Sequence, residues 1–454
     1  MNINEKIFRE YDIRGIADQD LSDPIVTELG RALGTFITKK GGSTITLGRD
    51  CRLSSNRIRS ALTQGLLKAG INVIDIGLVP TPLLYFSVFE LKTDGGIMIT
   101  GSHNPAEHNG FKICVGKTTI HGAEIQEVKA LLLGNHFSCG QGSLSEMDIK
   151  PAYSQMILKS IKHPLNLKIC VDSGNGMGGM IAPELFRRLG CEVIELYSEL
   201  DGRFPNHHPD PTVIENLSDL KRKMKETGAV VGIGFDGDAD RIGVVDPSGR
   251  PIFGDELLVV YSRDILQKNK GATIISEVKA SHRLFNDIAA HGGRPILWKT
   301  GHSLIKAKMK EENALLAGEM SGHIFFNDRY FGYDDAIYAG ARLLEILSYT
   351  QKTTAELISD LPNSFSTPEI RRDCPDDIKF VVVQKALKSF QSQGLKVNDI
   401  DGARVEFGDG WGLVRASNTQ PVLVLRFEAS SQKRLEEIQS SMEKTVSDLL
   451  KELR

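Results

Sequence analysis

Nothing in this sequence is arranged as a metal–thiolate site or a disulfide framework. Its six cysteines, at positions 51, 114, 139, 170, 191 and 374, are scattered with no Cys-x-x-Cys pair among them. Reduced thiols and a cytoplasmic location are the expectation. Positive charge is not in excess either. With 55 Lys and Arg against 58 Asp and Glu the net charge is −3, so no basic face is available to displace counterions from nucleic acid. No apolar stretch approaches the roughly 18 residues needed to span a bilayer. Residues 1–6 lack the basic-then-apolar layout of a secretory leader. Neither nucleic acid nor a membrane is an expected partner.

What the chain does have is length and a repeated plan. A chain of 454 residues, 41% hydrophobic and 25% charged, is too long for one ordinary core, so three or four domains are expected. Three segments begin with a short apolar strand that ends in a charged residue: Thr44-Ile45-Thr46-Leu47 to Asp50, Lys168-Ile169-Cys170-Val171 to Asp172, and Ala272-Thr273-Ile274-Ile275 to Glu277. Each continues through a helix that closes at a glycine (Gly70, Gly190, Gly293) and turns into a second strand. Each then reaches a third apolar strand and a polar loop, at 100–105, 236–241 and 318–323. This order predicts three α/β domains with largely parallel sheets, and in such sheets ligands gather at the carboxyl ends of the strands. A shared cleft follows from three such loops.

The last region is different. Stretches 139–150 and 363–378 are rich in Ser, Gly, Pro and Asp and read as connectors. Beyond the second come the apolar runs Phe380-Val381-Val382-Val383, Ala403-Arg404-Val405-Glu406-Phe407 and 421–428. A final helix over 431–453 then presents Leu435, Ile438, Met442, Val446, Leu449 and Leu450 on one face. That is a smaller α+β domain. The expected boundaries are 1–148, 149–250, 251–366 and 367–454.

Four loops carry chemistry. Ser102 stands at the tip of Thr100-Gly101-Ser102-His103-Asn104-Pro105, after the buried-strand pattern Gly96-Ile97-Met98-Ile99, and is either a cap or a nucleophile. It lacks the Gly-x-Ser-x-Gly elbow of a hydrolase, and on an extended backbone His103 would point away from it. Lys112 is near enough in sequence to share the site. Asp236, Asp238 and Asp240 lie on alternate residues, and such crowded carboxylates suit Mg²⁺. An EF-hand fails, because its sixth position would be Arg241 and its twelfth Pro247. A phosphatase using Asp236 as nucleophile remains open locally. Glu319, Ser321 and His323 offer a carboxylate, a hydroxyl and an imidazole suited to a sugar. Arg415, Ser417, Asn418 and Thr419 supply what gripping a phosphate requires, or else form a capped turn. Gly174-Asn175-Gly176-Met177-Gly178-Gly179 matches a dinucleotide fingerprint, with Glu195 about where such a fold wants an acid. A lone match is weak, however, and Pro183 and Glu184 fall early in the helix that follows; a tight strand-to-helix turn is the plainer reading.

Taken together, these loops resemble those of the α-D-phosphohexomutases, in particular the bacterial phosphomannomutase/phosphoglucomutase branch. The resemblance runs over essentially the whole chain. It also includes Tyr11-Asp12-Ile13-Arg14-Gly15, Gly48-Arg49-Asp50, Pro80-Thr81-Pro82 and Thr300-Gly301-His302-Ser303. It implies three α/β domains with mixed sheets and a smaller fourth domain around a central cleft. Ser102 would be the phosphorylated nucleophile, and Asp236, Asp238 and Asp240 would hold Mg²⁺ beside it. Residues 318–323 would bind the sugar and 415–419 the non-reacting phosphate. Tyr11, Arg14, Arg49, Lys112, Arg241, Lys279, His302 and Arg426 match positions in or near the family's cleft. Hexose 1,6-bisphosphate is implied as intermediate and activator, sugar phosphates as the small-molecule partners, and a monomer or homodimer as the assembly. Ala239 departs from the glycine common in relatives. Within the family the alternative is phosphoglucosamine mutase, against which Met320 stands, since that branch usually carries glutamine there. Outside it stand the phosphatase, whose activity would survive loss of Ser102, and a non-catalytic sensor, which would have lost a loop that is present here.

Overall fold

The computed structural model describes residues 3–453. The threefold plan is visible as one topology built three times. In the first domain Thr44–Arg49 pairs in parallel with Asn72–Leu78 on one side and Gly95–Ile99 on the other. In the second, Lys168–Asp172 lies between Glu192–Leu196 and Val231–Phe235, and in the third Thr273–Glu277 lies between Arg294–Trp298 and Leu316–Gly318, again all parallel. Each third strand then returns through an antiparallel partner: His108–Val115, Ile242–Val245 and Ile324–Phe326. The chemistry-bearing loops are the turns between third strand and return strand, so all three leave the carboxyl edge of a parallel sheet. The returning strand makes each sheet mixed.

Two of the three junction glycines behave as expected: Gly70 and Gly190 have φ of 90° and 107°. In the third repeat the left-handed residue is Gly292, with φ 80°. Gly293 is wanted for closeness instead, because a Cβ there would sit 2.8 Å from Ile288 and 2.9 Å from Leu266.

The fourth domain is an antiparallel sheet in the order Phe365–Ser366, Val422–Ala429, Gly410–Ala416, Ala403–Glu406, Lys396–Asn398, with Ile370–Asp373 also on Val422–Ala429. Helices Lys379–Ser392 and Gln432–Leu453 cover it. The run Phe380-Val381-Val382-Val383 thus opens a helix. Val382 and Val383 are buried while Phe380 and Val381 face out, which suits a helix with one covered face. Both connectors also carry strands. Leu144–Glu146 adds an edge to the first sheet, and the second connector supplies Phe365–Ser366 and Ile370–Asp373. The glycine-rich 174–179 stretch is a strand-to-helix turn: a short 3₁₀ segment, Met177–Met180, leads into helix Ala182–Arg188.

One apolar core runs through the first three domains, from Leu83 and Phe86 through Tyr153, Phe186 and Ile233 to Leu258 and Tyr338. The fourth domain has its own, around Val382, Phe390, Leu425, Phe427 and Met442. Among the described residues no helix is long and apolar enough to cross a membrane.

Candidate active site

Ser102 is 1% exposed and sits in left-handed backbone, φ 49°. Residues other than glycine occupy that region at a cost, and such strain gathers at functional sites. The loop is held by Arg52, whose guanidinium donates to the carbonyl oxygens of Ser102 (2.8 Å), Asn104 (2.6 Å), Pro105 (2.5 Å) and His108 (2.9 Å). Asp50 anchors Arg52 at 3.2 Å and accepts from the amide of Gly101. The left-handed turn also corrects the expectation for His103. The backbone is not extended there, and the ring swings back until Nδ1 lies 3.2 Å from the Ser102 hydroxyl.

The Ser102 hydroxyl donates to Asp236 Oδ2 at 2.9 Å. That contact joins the first domain to the second, and Gly237 makes it possible: a Cβ there would stand 2.4 Å from the Ser102 carbonyl oxygen. Asp236 Oδ1 accepts from the amides of Asp240 and Arg241. Asp238 Oδ2 accepts from Lys112 Nζ (2.7 Å) and from Thr81 Oγ1 (2.5 Å), which gives the Pro80-Thr81-Pro82 motif its part, and Lys112 also reaches Asp240 Oδ2. Ala239 adopts φ 58°, the left-handed region that glycine fits more easily.

Ligand oxygens of Asp236, Asp238 and Asp240 lie within 4.8 Å of one another, all buried. Two buried oxygens, Asp238 Oδ1 and Asp240 Oδ1, have no hydrogen-bond partner. Burial and the neighbouring carboxylates of Asp238 and Asp240 push Asp236 well above the ordinary carboxylate range. Orphaned hard oxygens on clustered carboxylates are what a divalent cation would satisfy, so the donor set fits a metal.

The remaining residues form a chain of contacts around the cleft. Arg241 Nε donates to His323 Nε2 at 2.7 Å, while His323 Nδ1 lies 3.0 Å from Asp334 Oδ2. Asp334 also pairs with Lys306 at 2.9 Å and lies 3.7 Å from His302 Nδ1, and the two imidazoles stack with centroids 5.5 Å apart. Burial and nearby Lys306 hold His302 well below the usual histidine range, which keeps it neutral. Glu319 Oε1 accepts from the amide of Gly301 at 2.6 Å. Gly301 must be glycine: φ is 132° and a Cβ would lie 2.5 Å from the Tyr11 ring. The Tyr11 hydroxyl donates to the Thr300 carbonyl (2.7 Å) and accepts from Asn418 Nδ2 (2.5 Å), tying first, third and fourth domains together.

Arg415 is 5% exposed, and its fork is set by Asp401, with Nε 3.0 Å from Oδ2. Ser417 Oγ accepts from the amides of Thr419 and Gln420, which makes the loop a tight turn. Arg14 donates to Asp12 (2.7 Å) and Asn104 (3.1 Å), so it leans on the Ser102 loop. Lys279 Nζ pairs with Glu369 at 3.0 Å, and half-buried Ser321 follows Met320 in the loop after Leu316–Gly318. Arg49 does not join this group. Strand alternation sends Asp50 to the Ser102 loop and Arg49 away, to Asn56 at 2.7 Å and Asp75 at 3.4 Å. Arg426 lies at the junction of third and fourth domains and donates to the Lys279 carbonyl. Sequence reasoning missed Arg52 and Asp334. Asp50 in the Gly48-Arg49-Asp50 motif pointed towards the first; no local signal marked the second, which lies in the ordinary-looking stretch Tyr333-Asp334-Asp335.

The comparisons agree with this geometry. Residues 5–137, 151–249 and 253–365 match the models of phosphoglucomutase/phosphomannomutase α/β/α domains I, II and III, and residues 369–445 match that family's C-terminal domain. A phosphomannomutase/phosphoglucomutase of Pseudomonas aeruginosa is 48% identical over 434 residues, covering 96% of this chain and 94% of the relative. A phosphoglucomutase of Neisseria gonorrhoeae is 46% identical over 97% and 96% of the two chains. The crystal structure of a phosphoglucomutase/phosphomannomutase family protein from Burkholderia thailandensis superposes with a TM-score of 0.93 at 42% identity, covering 99% of this chain and 98% of that one. With its four domains matched in order and its cleft assembled from a loop of each, the chain belongs to the phosphoglucomutase/phosphomannomutase family.

Proposed function

We propose that the chain interconverts hexose 1-phosphate and hexose 6-phosphate, with mannose and/or glucose as the sugar, through phosphorylated Ser102 and a hexose 1,6-bisphosphate. The observation that carries this reading is the buried Ser102 hydroxyl, 2.9 Å from Asp236, at the meeting point of two domains. The relatives named above support the choice of sugar.

Phosphoryl transfer asks a protein mainly for position and charge. The P–Oγ bond of phosphoserine breaks, its electron pair staying on Oγ, as the free hydroxyl of a bound hexose phosphate forms its own bond to phosphorus. The hexose hydroxyl gives up its proton, and Oγ takes one up to become the Ser102 hydroxyl again. His302 is assigned as the acceptor of the hexose proton, and Arg14, Lys112 and Arg241 balance charge around the transferring group. Asp236, Asp238, Asp240 and Ser102 are the residues that would hold Mg²⁺, whose charge offsets that of the phosphoryl group. The bisphosphate then turns end over end, and its other phosphoryl group returns to Ser102 with the proton movement reversed. Added bisphosphate acts as activator by restoring phosphoserine.

The far phosphate is assigned to Arg415, Ser417, Asn418 and Thr419. Asp401 occupies one edge of the Arg415 guanidinium and leaves other donors for a phosphate. Glu319 and Ser321 are assigned to the 3- and 4-hydroxyls. Because Gly301 occupies Glu319 Oε1, Oε2 is the atom left for sugar. Tyr11, Lys279 and His323 line the same path. Hydroxyls 3 and 4 exchange places when the sugar turns over, so this grip serves both poses and does not read the configuration of the C2 hydroxyl. The proposed setting is the cytoplasm, as monomer or homodimer.

Coupled assays on mannose, glucose and glucosamine 1-phosphates, with a trace of the bisphosphate, test the reading. Mannose and glucose substrates are expected to turn over comparably and glucosamine poorly. Efficient turnover of glucosamine 1-phosphate alone would move the chain to the other branch.

A further inference from the structure

A cavity of about 270 Å³ opens between the first and third domains, outside the catalytic cleft. Helix Thr81–Glu90 and the turn after His108–Val115 form one side; helix His302–Glu312 and the 327–333 loop form the other. Its walls are aromatic: Tyr85, Phe89, Phe331 and Tyr333. Phe89 and Phe331 meet at 4.9 Å, and Phe331 lies parallel to Tyr333 within 3°. Pockets of this kind, apolar with a few placed polar groups and set between domains, are where small ligands bind.

Three features say what would fit. The Tyr85 side chain is 3% exposed, yet its hydroxyl has no hydrogen-bond partner. A buried hydroxyl left unpaired is unusual and calls for an acceptor. Lysines supply the only charge among the lining residues, with no carboxylate present. Lys306 is paired with Asp334, but Lys117 and Lys310 at the rim have no ion-pair partner among the described residues, and Lys117 Nζ stands 4.8 Å over the Phe89 ring. The volume suits a ligand of up to three rings.

We infer that this cavity is a binding site for a small aromatic anion, its ring against Phe89, Phe331 and Tyr333 and its charge between Lys117 and Lys310. The site borders the cleft without entering it. Lys306 is one helical turn past His302, and Cys114, on the cavity wall, is two residues past Lys112 on the same strand face.

The probe is 8-anilinonaphthalene-1-sulfonate, titrated by fluorescence and calorimetry into the full chain with and without saturating glucose 6-phosphate. One equivalent is expected to bind in both conditions. Its neutral counterpart, N-phenyl-1-naphthylamine, is expected to bind at least tenfold more weakly. The Lys117→Glu/Lys310→Glu variant changes only exposed side chains; it should keep mutase turnover and lose at least tenfold in affinity for the sulfonate. Phe331→Ala should weaken both probes. No binding to the unmodified protein, displacement by glucose 6-phosphate, or equal affinity in the double lysine variant would each overturn the site. The lysine arm does not depend on which sugar the enzyme uses.

Discussion

At one end of the cleft, the first domain, which carries Ser102, has a core of its own but also shares an apolar core with the second and third; at the other, the 415–419 loop rides on a domain whose core is separate. The fourth domain meets the third through a small cluster of Val278, Trp411 and Leu413 and through polar contacts. Arg404 lies 3.7 Å over the Trp411 ring and donates to the carbonyls of Val278 and Ala280, while Ser281 bonds Glu428 and His282 bonds Glu406. The difference fits what each end must do. Bond making needs groups fixed in advance, because small misplacement is costly. In the proposed reaction the far end holds the phosphate of either pose of the same sugar, and polar contacts that can be remade suit that task better than a shared apolar core.

Metal removal is the largest break expected between the two ends. Dialysis against chelator should lower turnover by roughly 10³-fold or more, and Mg²⁺ should restore it. Binding of glucose 6-phosphate, followed by calorimetry, should survive because the Arg415 loop needs no cation. Parallel loss of binding and turnover would show that the ends are not separable.

Arg415→Ala attacks the other end. Losing a charge-assisted grip on phosphate should cost about 2–3 kcal/mol in kcat/KM, roughly 30- to 150-fold. Phosphorylation of Ser102 in the isolated protein should stay intact. A phosphoserine lost along with Arg415 would mean that the loop supports the reacting end.

Tyr11→Phe removes the hydroxyl between the Thr300 carbonyl and Asn418. The expected cost is about 1 kcal/mol, about fivefold in kcat/KM. A loss near that of Arg415→Ala would give the hydroxyl a direct role with substrate.

A change in stability rather than turnover concerns His302. Burial holds its folded pKa below that of the unfolded chain. Below about pH 6.5 the unfolded state therefore takes up a proton that the folded state refuses. This contribution to stability is present above that pH and is lost as pH falls, with a slope of at most about 1.4 kcal/mol per pH unit. Urea midpoints from pH 7.5 to 5.5 should fall less steeply in His302→Asn. Unchanged slopes would show that His302 is charged in the fold.

Most of this architecture could be read from local sequence. Strand, helix, glycine and strand repeat three times because each βαβ unit needs the same punctuation, and the loops lie at strand ends because topology leaves them nowhere else. The return strands, which make the sheets mixed, carry no local mark of direction. Phe380-Val381-Val382-Val383 looks extended by composition, but it packs as a helix because only one of its faces is covered. Leu144–Glu146 pairs although all three residues are exposed, so no apolar pattern announced it. At the site, the chemical loops were legible as clusters of unusual residues. Arg52 and Asp334 were not, since each acts by touching partners distant in sequence: Arg52 holds carbonyls some 50 residues on, and Asp334 binds Lys306 and lies beside His302. His103 was misplaced because the left-handed backbone at Ser102 is a product of the folded loop.

The central claim is that Ser102 carries the phosphoryl group between the two ends of the sugar. Incubating the protein with glucose 1,6-bisphosphate labelled with ³²P, isolating it and adding unlabelled glucose 1-phosphate tests this most directly, with intact mass and peptide mapping as readouts. The account predicts one phosphate on Ser102 that leaves for sugar within the time of a turnover, and no label and no turnover in Ser102→Ala. Label on Asp236, or near-normal turnover in Ser102→Ala, would contradict it.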